Sequence, residues 1–215
     1  MKALLYLHYK IEQLKMKNKI QIPKKIIVAS HNPGKVKEIN ILLNDIGIAA
    51  LPVSKFSQEE PIEDGKTFAE NALIKARSAK KLSQQTSLAD DSGLCVDALN
   101  GDPGIYSARW AGENKDFNLA MSTIENKIST LKNKNAYFIC VLALVTENDE
   151  EYVFEGKIHG KLTFPPRGKK GFGYDPIFIP ENKLLTFGEM EPEHKDLISH
   201  RAQAFRKFKE NIFVK

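Results

Sequence analysis

The 215-residue sequence holds only two cysteines, Cys95 and Cys140, far apart and without CxxC or Cys/His ligand spacing. Neither a disulfide framework nor a zinc site is indicated, and both thiols are expected in the core, where free cysteine is usually found. No window approaches the ~18 consecutive apolar residues of a membrane span. The stretch "ALLYLHY" near the start is too short for a signal peptide and lacks a small-residue cleavage site. A cytoplasmic protein without a membrane partner is therefore expected. Internal repeats and low-complexity linkers are also missing, so repeat architectures are excluded. With 42% hydrophobic residues, the chain can bury the core of one large domain or of a domain with two lobes.

The net charge of +5 and pI near 9.0 would ordinarily suggest a nucleic-acid partner, but the charge is unevenly placed. Residues 1–25 hold seven lysines and one acid, Glu12, a surplus of six; set against the chain's +5, residues 26–215 carry −1. The expected organisation is a basic N-terminal extension, residues 1–25, followed by a near-neutral domain, residues 26–215. The extension reads as dispensable, since charge runs are mostly solvated; a surface-binding arm, a partly ordered helix or a start at Met16 are the alternatives.

The domain alternates strand and helix patterns, which predicts an α/β fold with a mixed sheet. "KIIVA" (25–29) reads as a buried strand, and helical spacing follows from Lys35 until Gly47. Thr67 and Glu70 form a T-x-x-E capping box opening a helix from about Phe68 to Leu82. "TSLAD" and "LCVDAL" read as strands around a turn at Ser92-Gly93. "AYFICVLALVT" (136–146) is apolar on both faces and so central, and "EYVFEGKIHGKLT" is expected to pair with it antiparallel through "ENDE". Helices are expected over about 116–131 and 199–213.

Several of these segments place polar chemistry where packing alone would not. "ASHNPGK" delivers Ser30, His31, Asn32, Pro33, Gly34 and Lys35 from a strand into a helix N-terminus, an arrangement suited either to an anion or to ordinary capping. It is not a Walker loop, since the second glycine is missing and Val36 follows the lysine. On a wheel drawn at ~100° per residue, Lys75 falls within the stripe of Ala72, Ala76, Ala79 and Leu82, with Asn71 beside it. A buried ammonium needs an acceptor or a polar cleft. Arg201 shares a helix face with Phe205, Phe208 and Ile212, with His200 next to it. Cations in a first turn oppose the helix dipole, and a bound phosphate would resolve that conflict. In "GKKGFGYDP", glycines permit close backbone approach, Phe172 can stack on a base, and Asp175 can either accept from a ring N–H or fix the loop. The acids Glu63, Asp90 and Asp91 suit a nucleoside triphosphate with Mg²⁺, which takes one or two carboxylates plus water and phosphate oxygens.

Five blocks carry a resemblance: "IIVASHNPGKVKEI", "DGKTFAENALIKARSA", "LADDSGLCVDALNGDPGIYSARWAG", "GKKGFGYDPIF" and "ISHRAQAF". Together they resemble, in order, the signature blocks of the inosine/xanthosine triphosphate pyrophosphatase family. The resemblance implies an elongated mixed sheet in two lobes with a central substrate cleft, a homodimer, and Mg²⁺-dependent hydrolysis of ITP, dITP or XTP at the α-phosphorus. It further implies that Ser30 to Lys35 bind the triphosphate, and that Glu63 and Asp91 hold Mg²⁺ while Asp91 also accepts the proton of the attacking water. Lys75, Ser92 and Lys195 would contact substrate. Phe172, Gly173, Tyr174 and Asp175 would hold the base, and His200 and Arg201 would read the purine 6-oxo edge. Asp90 is a possible helper. His31 departs from the family pattern, where a small residue is frequent. Rival readings are a pyrophosphatase for modified pyrimidine nucleotides and a nucleotide- or nucleic-acid-binding module using the basic extension.

Overall fold

A computed structural model describes residues 19–214. Residues 1–18 of the basic extension, and with them most of its lysines, lie outside the described residues. The elements run β1 (Ile20–Ile22), β2 (Lys25–Ala29), α1 (Pro33–Asn44), β3 (Ala49–Pro52), α2 (Phe68–Ser83), β4 (Ser87–Val96), α3 (Phe117–Ile128), β5 (Asn135–Val145), β6 (Glu151–Leu162), β7 (Phe178–Pro180), α4 (Pro192–Ile198), α5 (His200–Asn211) and β8 (Ile212–Val214). Six strands form one mixed sheet in the order β3-β2-β4-β5-β6-β7. β2 is parallel to β3 and β4, and every later pairing is antiparallel. The expected α/β class and central β5 are both found. The folded body begins ahead of residue 26, because β1 pairs in parallel with β8 and Ile22 is fully buried.

Helix starts follow local chemistry. Asn32 caps α1 by accepting from the Gly34 and Lys35 amides, and Thr67 with Glu70 completes the predicted capping box of α2. Asp116 and Ser199 cap α3 and α5. Each satisfies amides that the first helical turn cannot.

One expectation fails. β4 does not turn at Ser92-Gly93; it is a single ten-residue strand paired with β5 from Ser87 to Val96, Ser92 opposite Cys140 and Gly93 opposite Ile139. Gly93 is needed for proximity: a Cβ there would stand 2.5 Å from Ser107 Oγ. The other edge of β4 explains the site. β2 pairs with β4 from Ile27–Ser87 no further than Ala29–Ala89, and among the described residues that edge meets no further strand until a bridge at Cys95–Pro103. The long strands β4, β5 and β6 run through two lobes, one built on Ile26, Val28, Leu88 and Leu142, the other on Leu94, Ile124, Phe138 and Phe178. The cleft opens where β2 stops.

Candidate active site

A cleft of about 400 Å³ lies between the lobes. Ser30, His31, Asn32, Lys35, Glu63, Lys75, Asp91 and Ser92 line it, as do Phe172, Gly173, Tyr174, Asp175, Lys195, His200 and Arg201. Residues from five separated segments thus meet at one place. Gly34 and Asp90 stand behind that wall. A Cβ on Gly34 would come 2.9 Å from Phe172 Cδ1, so glycine lets the first turn and the glycine loop touch.

Adjacent residues of a strand face opposite sides, and Asp90 and Asp91 do so here. Asp91 faces α2, where Lys75 Nζ donates to its Oδ1 at 2.9 Å and lies 3.1 Å from Glu63 Oε1. This is the acceptor set the inward lysine required. Burial lowers the basicity of Lys75, but Asp91, Asp90 and Glu63 more than reverse that, leaving its pKa above the ordinary lysine value. Burial also lifts the Asp91 carboxyl above the usual aspartate value, against the pull of Lys75 and Lys35. Its Oδ2 is buried and has no protein partner.

Asp90, fully enclosed, faces α1 and α5. Burial alone would raise its pKa, yet Lys35 at 3.1 Å, Arg201 at 3.1 Å and Lys75 hold it well below the carboxylate range. Ser92 donates to the same Asp90 oxygen. Arg201 is nearly inaccessible and also pairs with Glu38 of α1. The phosphate inferred from charge pattern alone is therefore not what satisfies this arginine: two carboxylates do. They compensate a cation placed at the wrong end of a helix dipole.

At the other end of the cleft, Asp175 fixes the loop, accepting from the Phe172 amide at 2.9 Å and from Lys195 Nζ at 2.7 Å. Lys195 also meets Glu38 at 3.2 Å and lies over the Phe172 ring, 4.7 Å from its centroid. Burial pulls the Lys195 pKa down, and Asp175 and Glu38 bring it above the ordinary value. His200 stacks on Phe138 at 4.9 Å with 12° between planes. Burial, then Arg201 and Lys195, drive its pKa well below the ordinary value, so the ring is neutral at pH 7. The Tyr174 hydroxyl is spent on the Ser107 carbonyl at 2.8 Å.

The turn after β2 is less open to anions than its pattern suggests. Asn32 Oδ1 takes the Gly34 and Lys35 amides, and the Asn32 carbonyl takes that of Val36. Lys35 Nζ remains on the cleft wall, partnered by Asp90.

Sequence reasoning did not single out Glu38, Glu60, Ser107 or Phe138. Glu38 neutralises both Lys195 and Arg201, and Glu60 meets His31 Nδ1 at 3.1 Å. Among the described residues, no three His, Cys, Asp or Glu side chains form a metal cluster. Two carboxylates, Glu63 and Asp91, do border the cleft together, a donor set that fits a hard cation completing its shell with water and phosphate oxygens.

The Ham1 family model matches residues 26–211. A dITP/XTP pyrophosphatase of Caulobacter vibrioides is 51% identical over 191 residues, which span 88% of this chain and 98% of the relative. One of Rhodospirillum centenum is 48% identical over 192 residues, 88% of this chain and 95% of the relative. The solved Ham1 protein of Staphylococcus aureus matches with a TM-score of 0.79 at 38% identity, covering 86% of this chain and 96% of that one. A HAM1 protein from Coxiella burnetii matches with a TM-score of 0.79 at 40% identity, covering 86% and 95%. Sequence and fold are thus shared along nearly the whole domain: the chain belongs to the Ham1 family.

Proposed function

We propose that this protein is a Mg²⁺-dependent dITP/XTP pyrophosphatase, also acting on ITP, that releases the nucleoside monophosphate and pyrophosphate, as a homodimer in the cytoplasm. The observation that carries this reading is a single cleft with two unlike ends. One end has a carboxylate oxygen without a protein partner, Asp91 Oδ2, beside Lys75 and Glu63. The other has Phe172, neutral His200 and the immobilised Arg201. The names of the Caulobacter and Rhodospirillum relatives support the same substrate class.

Glu63 and Asp91 would hold the cation, which when bound supplies charge neutralisation for the triphosphate. Lys75 holds Asp91 through Oδ1 and so leaves Oδ2 to accept a proton from water. As that water attacks the α-phosphorus, its oxygen forms the new P–O bond, the bond to the β-phosphate oxygen breaks, and pyrophosphate leaves. A carboxylate made more basic by burial is the better acceptor for this proton. Lys35 and Lys75 offset charge that grows on the departing group. At the base, donors on His200 and Arg201 would meet a 6-oxo oxygen, and adenine's 6-amino group would leave them unpaired.

The test is incubation with Mg²⁺ and a panel of dITP, XTP, ITP, GTP, ATP and dUTP, with pyrophosphate and orthophosphate measured separately. Pyrophosphate as the direct product, with dITP, XTP and ITP preferred over GTP and ATP, is expected. Direct release of orthophosphate, or no such preference, would sink the proposal.

A further inference from the structure

Arg109 has no part in the chemistry above, yet it grips the segment that carries Glu63. Residues 57–67 contain neither helix nor strand, and from this irregular loop Glu63 must present its carboxylate 3.1 Å from Lys75 Nζ. One near contact and two from distant parts of the chain hold the loop. The Gly65 amide donates to Oδ1 of the fully buried Asn71 at 2.9 Å. His31 Nδ1 stands 3.1 Å from Glu60 Oε1. Arg109 Nη2 donates to the carbonyl oxygen of Glu63 itself at 2.7 Å.

Only the last contact fixes the peptide from which the carboxylate hangs. The guanidinium is braced in turn by the Tyr106 ring, 4.9 Å from its centroid, a stacking arrangement that restrains a long side chain before it bonds. A freely moving loop would spread the Glu63 carboxylate over positions of which few face Asp91, and holding a group in its working position is how support from outside the reacting atoms acts. We infer that Arg109 is a positioning residue, which clamps the Glu63 main chain so that its carboxylate stays beside Lys75 and Asp91. The inference rests on the reading of Glu63 as a Mg²⁺ ligand. Because Arg109 also lines the cleft, direct contact with substrate is the rival the experiment must separate.

The full-length protein with Arg109→Met is compared with wild type, with Arg109→Lys and with Glu63→Gln. The first readout needs neither metal nor nucleotide: the rate of trypsin nicking at Lys66, within the loop. Arg109→Met is expected to raise that rate at least about five-fold at an unchanged melting temperature, and Arg109→Lys, which keeps a donor, to recover part of the protection. Equal nicking rates in wild type and Arg109→Met overturn the inference whatever the enzyme's substrate is. The second readout is Mg²⁺ titration of dITP hydrolysis. Half-saturating Mg²⁺ is expected to rise about ten-fold, the scale of one lost charge-assisted hydrogen bond, with a smaller effect on kcat. Combining Arg109→Met with Glu63→Gln should add little to Glu63→Gln alone, since both act through one carboxylate. Full additivity, or a raised KM for dITP at every Mg²⁺ concentration, would make Arg109 a substrate contact and overturn the clamp. Absence of Mg²⁺-dependent dITP hydrolysis in wild type would remove the proposed function, and the nicking comparison would still decide the clamp.

Discussion

Replacing Arg201 by methionine removes the most deeply enclosed cation of the site while keeping much of its apolar length. Arg201 joins α5 to Glu38 of α1 and to Asp90 of β4, so its loss strips a partner from two carboxylates at once. Breaking a buried pair from one side costs about 3–5 kcal/mol, because the remaining charge stays desolvated. Here the cost should fall near the lower end: Lys35 still lies 3.1 Å from Asp90, and Lys195 still lies 3.2 Å from Glu38. A loss of about 3 kcal/mol corresponds to a melting temperature lower by roughly 6–12 °C for a chain of this size. Urea unfolding of wild type, Arg201→Met, Asp90→Asn and the double variant gives a thermodynamic cycle. Neutralising Asp90 in the Arg201→Met background should return part of the loss, since it removes the charge left without its arginine, and a coupling energy of about 1–3 kcal/mol is expected. Additivity of the two substitutions, or a cost below about 1 kcal/mol for Arg201→Met, would refute the claim that these groups form one buried network.

Two further outcomes can be checked directly. Asp91→Asn keeps an oxygen for Lys75 but removes the proposed proton acceptor, so kcat for dITP should fall by about 10²–10⁴-fold while a calorimetric titration still detects nucleotide binding; near-normal turnover would take Asp91 out of its proposed role. His200 is buried and its folded pKa lies well below 6.5, so below about pH 6.5 the unfolded chain takes up a proton that the native state refuses. Its contribution to stability is therefore present above that pH and is lost as pH falls below it, by on the order of 1 kcal/mol between pH 7.5 and pH 5.5. Unfolding free energies from urea titrations at the two pH values should differ by that much less in His200→Gln, and an unchanged difference would count against a neutral buried ring.

Much of this architecture was legible because its signals are local. The capping box at Thr67 and Glu70 starts α2 where expected, "KIIVA" is β2 residue for residue, and Lys75 and Arg201 advertise themselves as charges on apolar helix faces. β4 was misread because Ser92-Gly93 is locally turn-like; pairing with β5, a contact distant in sequence, overrides that preference. The same limit hid Glu38. Its partners Lys195 and Arg201 lie 157 and 163 residues away, and a glutamate in an amphipathic helix gives no hint that two buried cations will reach it. The two aspartates need no bend to serve one site: Asp91 lines the cleft, and Asp90, on the opposite face of the strand, pairs from behind with the cleft residues Lys35 and Arg201.

That missing neighbour along β4 has a further consequence. The Leu94 amide donates to Ser107 Oγ and the Val96 amide to the Asp102 carbonyl, both on the side of β4 that faces away from β5. By the two-residue alternation of a strand, the peptide groups of Ser92 point the same way, into the cleft. Unpaired strand edges are usually an aggregation hazard that proteins suppress with charge or brevity. Here the exposed stretch is short, sits recessed between two lobes and is flanked by Lys35, Lys75 and Asp91. A foreign strand is kept out, while a small polar ligand can still use the backbone as a template.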